Sequence, residues 1–266
     1  MSYAKIMWTA LLPLLLVVNL KGNPDISRSA ENVPSIESEP LTQIALIAVG
    51  EKPPRRYEKA VNGNEPRMLL PTSEEVPPSR LYYKGKGFTD LKSNWKSLSV
   101  SFNSSANLIE VAPESELLLY RKKTESGEYE QYVNIEAAPI GSQRICFLLP
   151  QGDWSKSPNC KIWDLGEASI KGKQFVFINL SQKKVLQAFD GVVTEIGSMK
   201  NVAYRRREPD KFFRLAARDR ASNKLIFNTA VKGGTRNRAN WFVFYDANPL
   251  TEAGRTIGVF RMIIPE

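Results

Sequence analysis

Ser97-Leu98-Ser99-Val100-Ser101-Phe102-Asn103 is the stretch whose reading decides the fold. Leu98, Val100 and Phe102 alternate with Ser97, Ser99, Ser101 and Asn103. Successive side chains of a strand point to opposite faces, so this segment buries one face and wets the other. That pattern belongs to an antiparallel sheet with one solvated side. Moving outward, further strands are expected at 108–111, 117–121, 130–136 and 144–149. Asn103-Ser104-Ser105, Ala112-Pro113-Glu114, Ser126-Gly127 and Pro139-Ile140-Gly141 separate them as turns. Short strands at this spacing point to a sandwich or a barrel.

A second series is expected at 162–170, 174–180, 184–188, 191–196, 200–205, 211–218, 224–230, 241–246 and 256–264. Ile145 to Leu149, Phe175 to Ile178 and Trp241 to Tyr245 are continuously apolar and are expected as central strands. Beyond the N-terminal apolar run, no stretch of 11–18 residues shows a clear 3.6-residue period, so helix content should be small. Leu117 to Arg121, Gln131 to Glu136 and Arg144 to Leu149 can be laid on Phe213 to Ala217, Lys224 to Thr229 and Trp241 to Asp246, at offsets of 96, 93 and 97 residues. The match is one of pattern rather than identity, and it favours two similar β modules over one larger sandwich. The fold class expected is therefore all-β: antiparallel sandwich modules in tandem.

Residues 1–22 read as a signal peptide or an N-terminal anchor. Lys5 precedes Ile6 to Leu20, which is apolar apart from Thr9 and Asn19, and which is short of the ~20 residues a spanning helix needs. Residues 23–42 are polar, acidic and proline-containing, which suits a disordered tether. Ile44 to Val49 is an apolar run of strand length. Residues 43–150 then form the first module, 151–161 a linker, and 162–266 the second module. Pro53, Pro54, Pro66, Pro71, Pro77 and Pro78 restrict 50–80 to loops and edge strands, with Met68 to Leu70 and Leu81 to Lys84 as the edges.

The chain carries a net charge of +9, and the basic excess sits late. Residues 200–266 hold 14 Lys+Arg against 6 Asp+Glu, whereas 31–80 hold 6 against 8. There is no histidine. That excludes Ser-His-Asp and Cys-His catalysis and His-ligated zinc. Two cysteines cannot build a four-Cys metal site. No metal or cofactor is expected.

Four features remain as candidates. Cys146 and Cys160 are expected to form a disulfide in an exported chain, closing a loop worth roughly 3 kcal/mol in the chain-entropy model. Arg205, Arg206, Arg207, Arg214, Arg218, Arg220, Arg236 and Arg238 form a basic cluster. Arg214, Arg218 and Arg220 share a strand face with Phe212 and Ala216, and Lys232 to Arg238 reads as a basic hairpin loop. Together they would attract an anionic polymer or a lipid surface. The plain alternative is a solvated face whose arginines pair with Glu208, Asp210 and Asp219. Asp164, Glu195 and Asp246 stand near strand ends, where a glycosidase would need two carboxylates to converge. Trp95 and Trp154 are expected in polar loops, as candidate aromatic platforms for a sugar. Asn103 and Asn179 open glycosylation-type tripeptides.

The expectation is a non-catalytic, exported protein (periplasmic, cell-surface or secreted) for binding, adhesion or envelope assembly. Its partner would be a protein or glycan at the envelope, or an anionic polymer or lipid surface through the basic module, rather than nucleic acid. The alternative is a carbohydrate-binding or carbohydrate-active module.

Overall fold

The computed structural model describes residues 41–59, 65–84, 95–104, 108–111, 114–123, 126–206, 208, 210–233, 238–247 and 256–265. The signal or anchor at 1–22 and most of the tether lie outside them. Residues 39–266 form one compact unit, distinct from 1–38. No helix occurs among the described residues.

The first half contains β1 (Thr42–Ala48), β2 (Arg56–Tyr57), β3 (Met68–Leu69), β4 (Arg80–Lys84), β5 (Trp95–Ser99), β6 (Ile109–Val111), β7 (Leu117–Lys122), β8 (Tyr129–Ile135), β9 (Gln143–Leu149) and β10 (Asn159–Asp164). The second contains β11 (Phe175–Asn179), β12 (Val185–Phe189), β13 (Val192–Ile196), β14 (Lys200–Tyr204), β15 (Phe212–Asp219), β16 (Leu225–Lys232), β17 (Arg238–Asp246) and β18 (Ile257–Pro265). Two four-stranded sheets belong to each half. The first half has an inner sheet β10-β9-β1-β6 and an outer sheet β5-β4-β7-β8. The second has an inner sheet β14-β11-β17-β18 and an outer sheet β13-β12-β15-β16. Strand for strand the two halves share one connectivity: β1 corresponds to β11, β4 to β12, and so on to β10 and β18. The pattern match at offsets 96, 93 and 97 pairs β7 with β15, β8 with β16 and β9 with β17, which are corresponding strands.

Three apolar layers separate the four sheets. Leu81, Leu98, Leu117, Leu119 and Val133 of the first outer sheet meet Ile44, Leu46, Cys146 and Leu148 of the first inner sheet. The opposite face of that inner sheet, with Ala45, Ile47, Ile145, Phe147 and Trp163, packs on Val176, Ile178, Trp241, Val243, Phe260 and Met262 of the second inner sheet. Phe175, Phe177, Phe242 and Phe244 then face Phe189, Phe213, Leu215 and Ile226 of the second outer sheet. The two sandwiches therefore stand back to back on a shared core.

This stacking explains the continuously apolar runs. β1 and β9 pair in parallel, as do β11 and β17. All four strands are interior to their sheets and buried on both faces, so they cannot alternate. The expected central strands are central. The sheets are antiparallel sandwich layers as expected, and each inner sheet also holds one parallel pair. The crossover that a parallel pair requires is supplied by the outer sheet of the same half.

Other differences have local causes. The opening stretch is ladder-paired only as far as Ser99, yet its burial alternation persists through Val100. Beyond Ser99 the chain leaves the outer sheet, and Phe102 bridges to Ala48 of the inner one. Leu81 to Lys84, expected at an edge, lies inside its sheet between β5 and β7. The strand expected at 162–170 is β10, which begins at Asn159 and pairs with β9 of the first inner sheet. The disulfide Cys146–Cys160 joins these two strands, with Cα atoms 5.9 Å apart.

Candidate anion-binding face

The outer face of β13-β12-β15-β16 collects the arginines that share a strand. β15 sends Phe213, Leu215, Ala217 and Asp219 inward, all buried. Phe212, Arg214, Ala216 and Arg218 therefore face solvent. Register fixes their neighbours. Glu195, Leu186, Arg218 and Leu225 form one row across the four strands. Val193, Ala188, Ala216 and Asn228 form the next. Arg214 faces Ala230, and Phe212 faces Lys232. Arg214 and Arg218 thus stand about 13 Å apart along one strand, with small side chains between them.

Local sequence explains the geometry. Asp190 and Gly191 have φ of 50° and 88°, so β12 and β13 are joined by a two-residue turn of the kind whose twist suits a hairpin. At the far end, the Asp219 carboxylate accepts from the Ala221 N–H (2.9 Å), Ser222 Oγ (2.8 Å) and Thr256 Oγ1 (3.2 Å). Burial alone would raise its pKa, but these donors outweigh that and hold it below the ordinary carboxylate value.

The acids near the cluster pair with lysines and, in one case, with Arg220. Glu195 pairs with Lys184 (2.8 Å) and Arg220 (3.3 Å), and the Lys184 hydrogen bond leads in depressing its pKa. Asp190 and Glu208 pair with Lys211, and Asp210 pairs with Lys232. The expected pairing of the arginines with Glu208, Asp210 and Asp219 does not occur among the described residues. Arg214 and Arg218 are exposed and have no carboxylate partner there; Arg218 donates to the Asn223 carbonyl (3.2 Å). Arg205 and Arg206 are exposed on the connection from β14 to β15, where the Arg206 N–H donates to Gln174 Oε1. Arg207, Arg236 and the Arg238 side chain lie outside the described residues, as does most of the basic hairpin loop.

The cluster is therefore divided. Arg214 and Arg218 share one face, Arg220 is tied to Glu195, and Arg205 and Arg206 occupy the end of the sandwich nearer Phe212. Leu186, Val193 and Leu225 were not singled out from sequence. Their signal was the alternation of Val185 to Phe189 and the exposure expected of an outer sheet.

The tryptophans separate. Trp154 is 4% exposed in the first core, edge-on to Phe102, and its carbonyl accepts from Tyr132 Oη at 2.7 Å. The expectation of a Trp154 platform is corrected: no ring face is open. Burial also pushes the Tyr132 phenol up to about 12. Trp95 opens β5 rather than lying in a loop, and it is half-buried. Tyr129 stacks on its ring at 4.2 Å, Tyr120 meets it edgewise at 5.0 Å, and Lys84 Nζ stands over it at 5.2 Å. Trp95 is one member of a clasped ring cluster.

The three carboxylates do not converge. Asp164 and Ala239 line one cavity of about 420 Å³ between the inner sheets. Asp246 ends the strand on which Ala239 is the second residue, about 23 Å further along. Its carboxylate accepts from the Gln182 N–H. Glu195 lies on the outer sheet. Among the described residues no group of three His, Cys, Asp or Glu is placed to hold a metal ion. Asn179 is fully buried and donates to the carbonyls of Lys183, Ile196 and Gly197, so it is no glycan acceptor in the folded chain. Asn103 spends its amide on the Gly50 carbonyl (2.7 Å). No protein-family model matches the chain, and no curated protein sequence matches it.

Proposed function

We propose that this is a non-catalytic, exported binding protein whose second sandwich recognises anionic ligands. One observation carries the reading: Arg214 and Arg218 stand exposed on one sheet face without a carboxylate partner among the described residues, flanking the small side chains of Ala188 and Ala216. A surface ion pair contributes little to stability, so cations left unpaired cost the fold little and remain available to a ligand. Charges spaced along a rigid strand also present a fixed pattern, which a mobile lysine fringe does not. The export half of the reading rests on the Cys146–Cys160 bridge and the apolar run Ile6 to Leu20. The carbohydrate alternative uses Trp95 and Trp154, of which one is clasped and the other buried, with strand-end carboxylates that lie apart.

Heparin, used as a generic polyanion, tests the reading. The wild-type chain should be retained to a higher salt concentration than the Arg214→Ala/Arg218→Ala variant. Arg220→Ala should shift elution less, because Arg220 already has Glu195. Identical elution of wild type and double variant would sink the proposal.

A further inference from the structure

Exposed apolar side chains are interleaved with the cations of this face, and a soluble polyanion would leave them unused. Phe212 is 64% exposed, Val193 65% and Leu225 51%. Phe212 lies opposite Lys232 and next but one to Arg214 on β15; Leu225 lies opposite Arg218. Val193 projects from β13 across Ala188. Phe212 and Leu225 each lie within a residue or two of a cation and Val193 lies two strands from the arginine strand, so the apolar groups are spread along the face rather than gathered into a patch that a protein partner would fill. Arg205 and Arg206 add exposed charge on the connection leading to Phe212.

We infer that the outer face of β13-β12-β15-β16 lies flat on an anionic lipid bilayer. The inference rests on the anion-binding reading and names the anion: the phosphate of a lipid headgroup. Such an interface takes both kinds of group at once. Guanidinium and ammonium heads meet the headgroup phosphates, while Phe212, Val193 and Leu225 enter the boundary between headgroups and acyl chains. The small row of Ala188 and Ala216 lets a flat surface approach between the two arginines. Acidic side chains are few on the face; Glu195 is neutralised by Lys184 and Arg220, and Asp210 by Lys232.

The test reports from single positions on the full chain, so that any contribution of the apolar N-terminus is separated. A polarity-sensitive fluorophore is attached to an introduced thiol in Phe212→Cys, Val193→Cys and, on the outer face of the other sandwich, Ser97→Cys. With vesicles of mixed phosphatidylglycerol and phosphatidylcholine, the labels at 212 and 193 should shift to the blue and the label at 97 should not. Pure phosphatidylcholine should shift none of them. Adding Arg214→Ala/Arg218→Ala should weaken the partition read at 193 by about 30-fold, from roughly fivefold per cation at the surface. An equal shift at all three positions, or none at 212 and 193, would overturn the inference. If heparin retention still depends on Arg214 and Arg218 while the labels stay silent, the bilayer is wrong and the anion site stands. If both are lost, both readings fall.

Discussion

Ser97, Tyr82, Tyr120 and Gln131 cross the middle of the first outer sheet, where the second has Val193, Ala188, Ala216 and Asn228. The strands and their order correspond, and Leu119 and Leu215 beside these rows are both buried. In the first sandwich Tyr82, Trp95, Tyr120 and Tyr129 fold over the sheet and meet one another, at centroid distances of 4.2 to 5.0 Å. In the second the same level is occupied by the methyl groups of Ala188 and Ala216 between Val193 and Asn228, with arginines two residues away on either side along β15. One sheet has covered its outer face with its own rings, and the other has left it open. The interiors are reversed. The first core is mainly aliphatic and carries the disulfide, whereas the second is a run of stacked phenylalanines. A shared connectivity thus fixes where a face lies but not what the face does.

The sharpest way to break this comparison is at Phe189. Its ring lies 4.3 Å from Tyr204, 5.0 Å from Phe175, 5.4 Å from Phe213 and 6.2 Å from Phe177. Phe189→Ala should cost about 3–5 kcal/mol, read by urea unfolding. A loss below about 1 kcal/mol would mean that the phenylalanine stack is not what holds the second sandwich together. Next comes the disulfide. Cys146→Ala/Cys160→Ala should lower stability by roughly 3 kcal/mol, and the denatured wild type should show no free thiol. Two reactive thiols would remove the first sandwich's cross-link from the comparison.

Asp219 should give a smaller, pH-dependent effect. Its folded pKa is depressed, so the stability it contributes is present above the ordinary carboxylate pKa and is lost as pH falls through the folded value. Asp219→Asn should flatten the acid limb of a stability–pH profile, and Asp219→Ala should cost about 1–3 kcal/mol near neutrality. An unchanged acid limb in Asp219→Asn would refute the assignment. The smallest change is expected on the clasped face. Loss of the ring pair in Tyr120→Ala should remove about 0.5–1.5 kcal/mol beyond the area lost, and heparin retention should stay as in wild type. Weakened retention would place the anion site on the wrong sandwich.

Much of the fold is legible along the chain, because outer strands alternate and inner strands do not. Leu98 and Val100 are buried while Ser97, Ser99 and Ser101 are exposed, as a period of two requires. The strand expected at 162–170 is β10 at 159–164, because the chain turns after Asp164, whose carboxylate accepts from the Gly166 N–H. Its membership in the first sheet depends on pairing with β9, a contact between segments that local pattern does not report. Gly258 shows the same limit. It lies opposite Tyr245, whose ring covers it so closely that an added Cβ would come within 2.3 Å of ring carbon. Nothing in Thr256-Ile257-Gly258-Val259 announces that ring. The candidate site divides in the same way. The face shared by Phe212, Arg214, Ala216 and Arg218 follows from alternation alone, whereas the capture of Arg220 by Glu195 does not.

The order of amino acids by itself determined that this chain builds strands, which runs are interior and that histidine chemistry is absent. Those properties depend on side-chain periodicity and composition, which are local. Only the tertiary structure decided that two sandwiches share a central core, that each inner sheet contains a parallel pair, that Trp154 is enclosed while Trp95 is clasped, and that two arginines are left without acidic partners. Each of these depends on which distant segments meet, and a carboxylate chooses its cation by distance in space rather than by position in the chain.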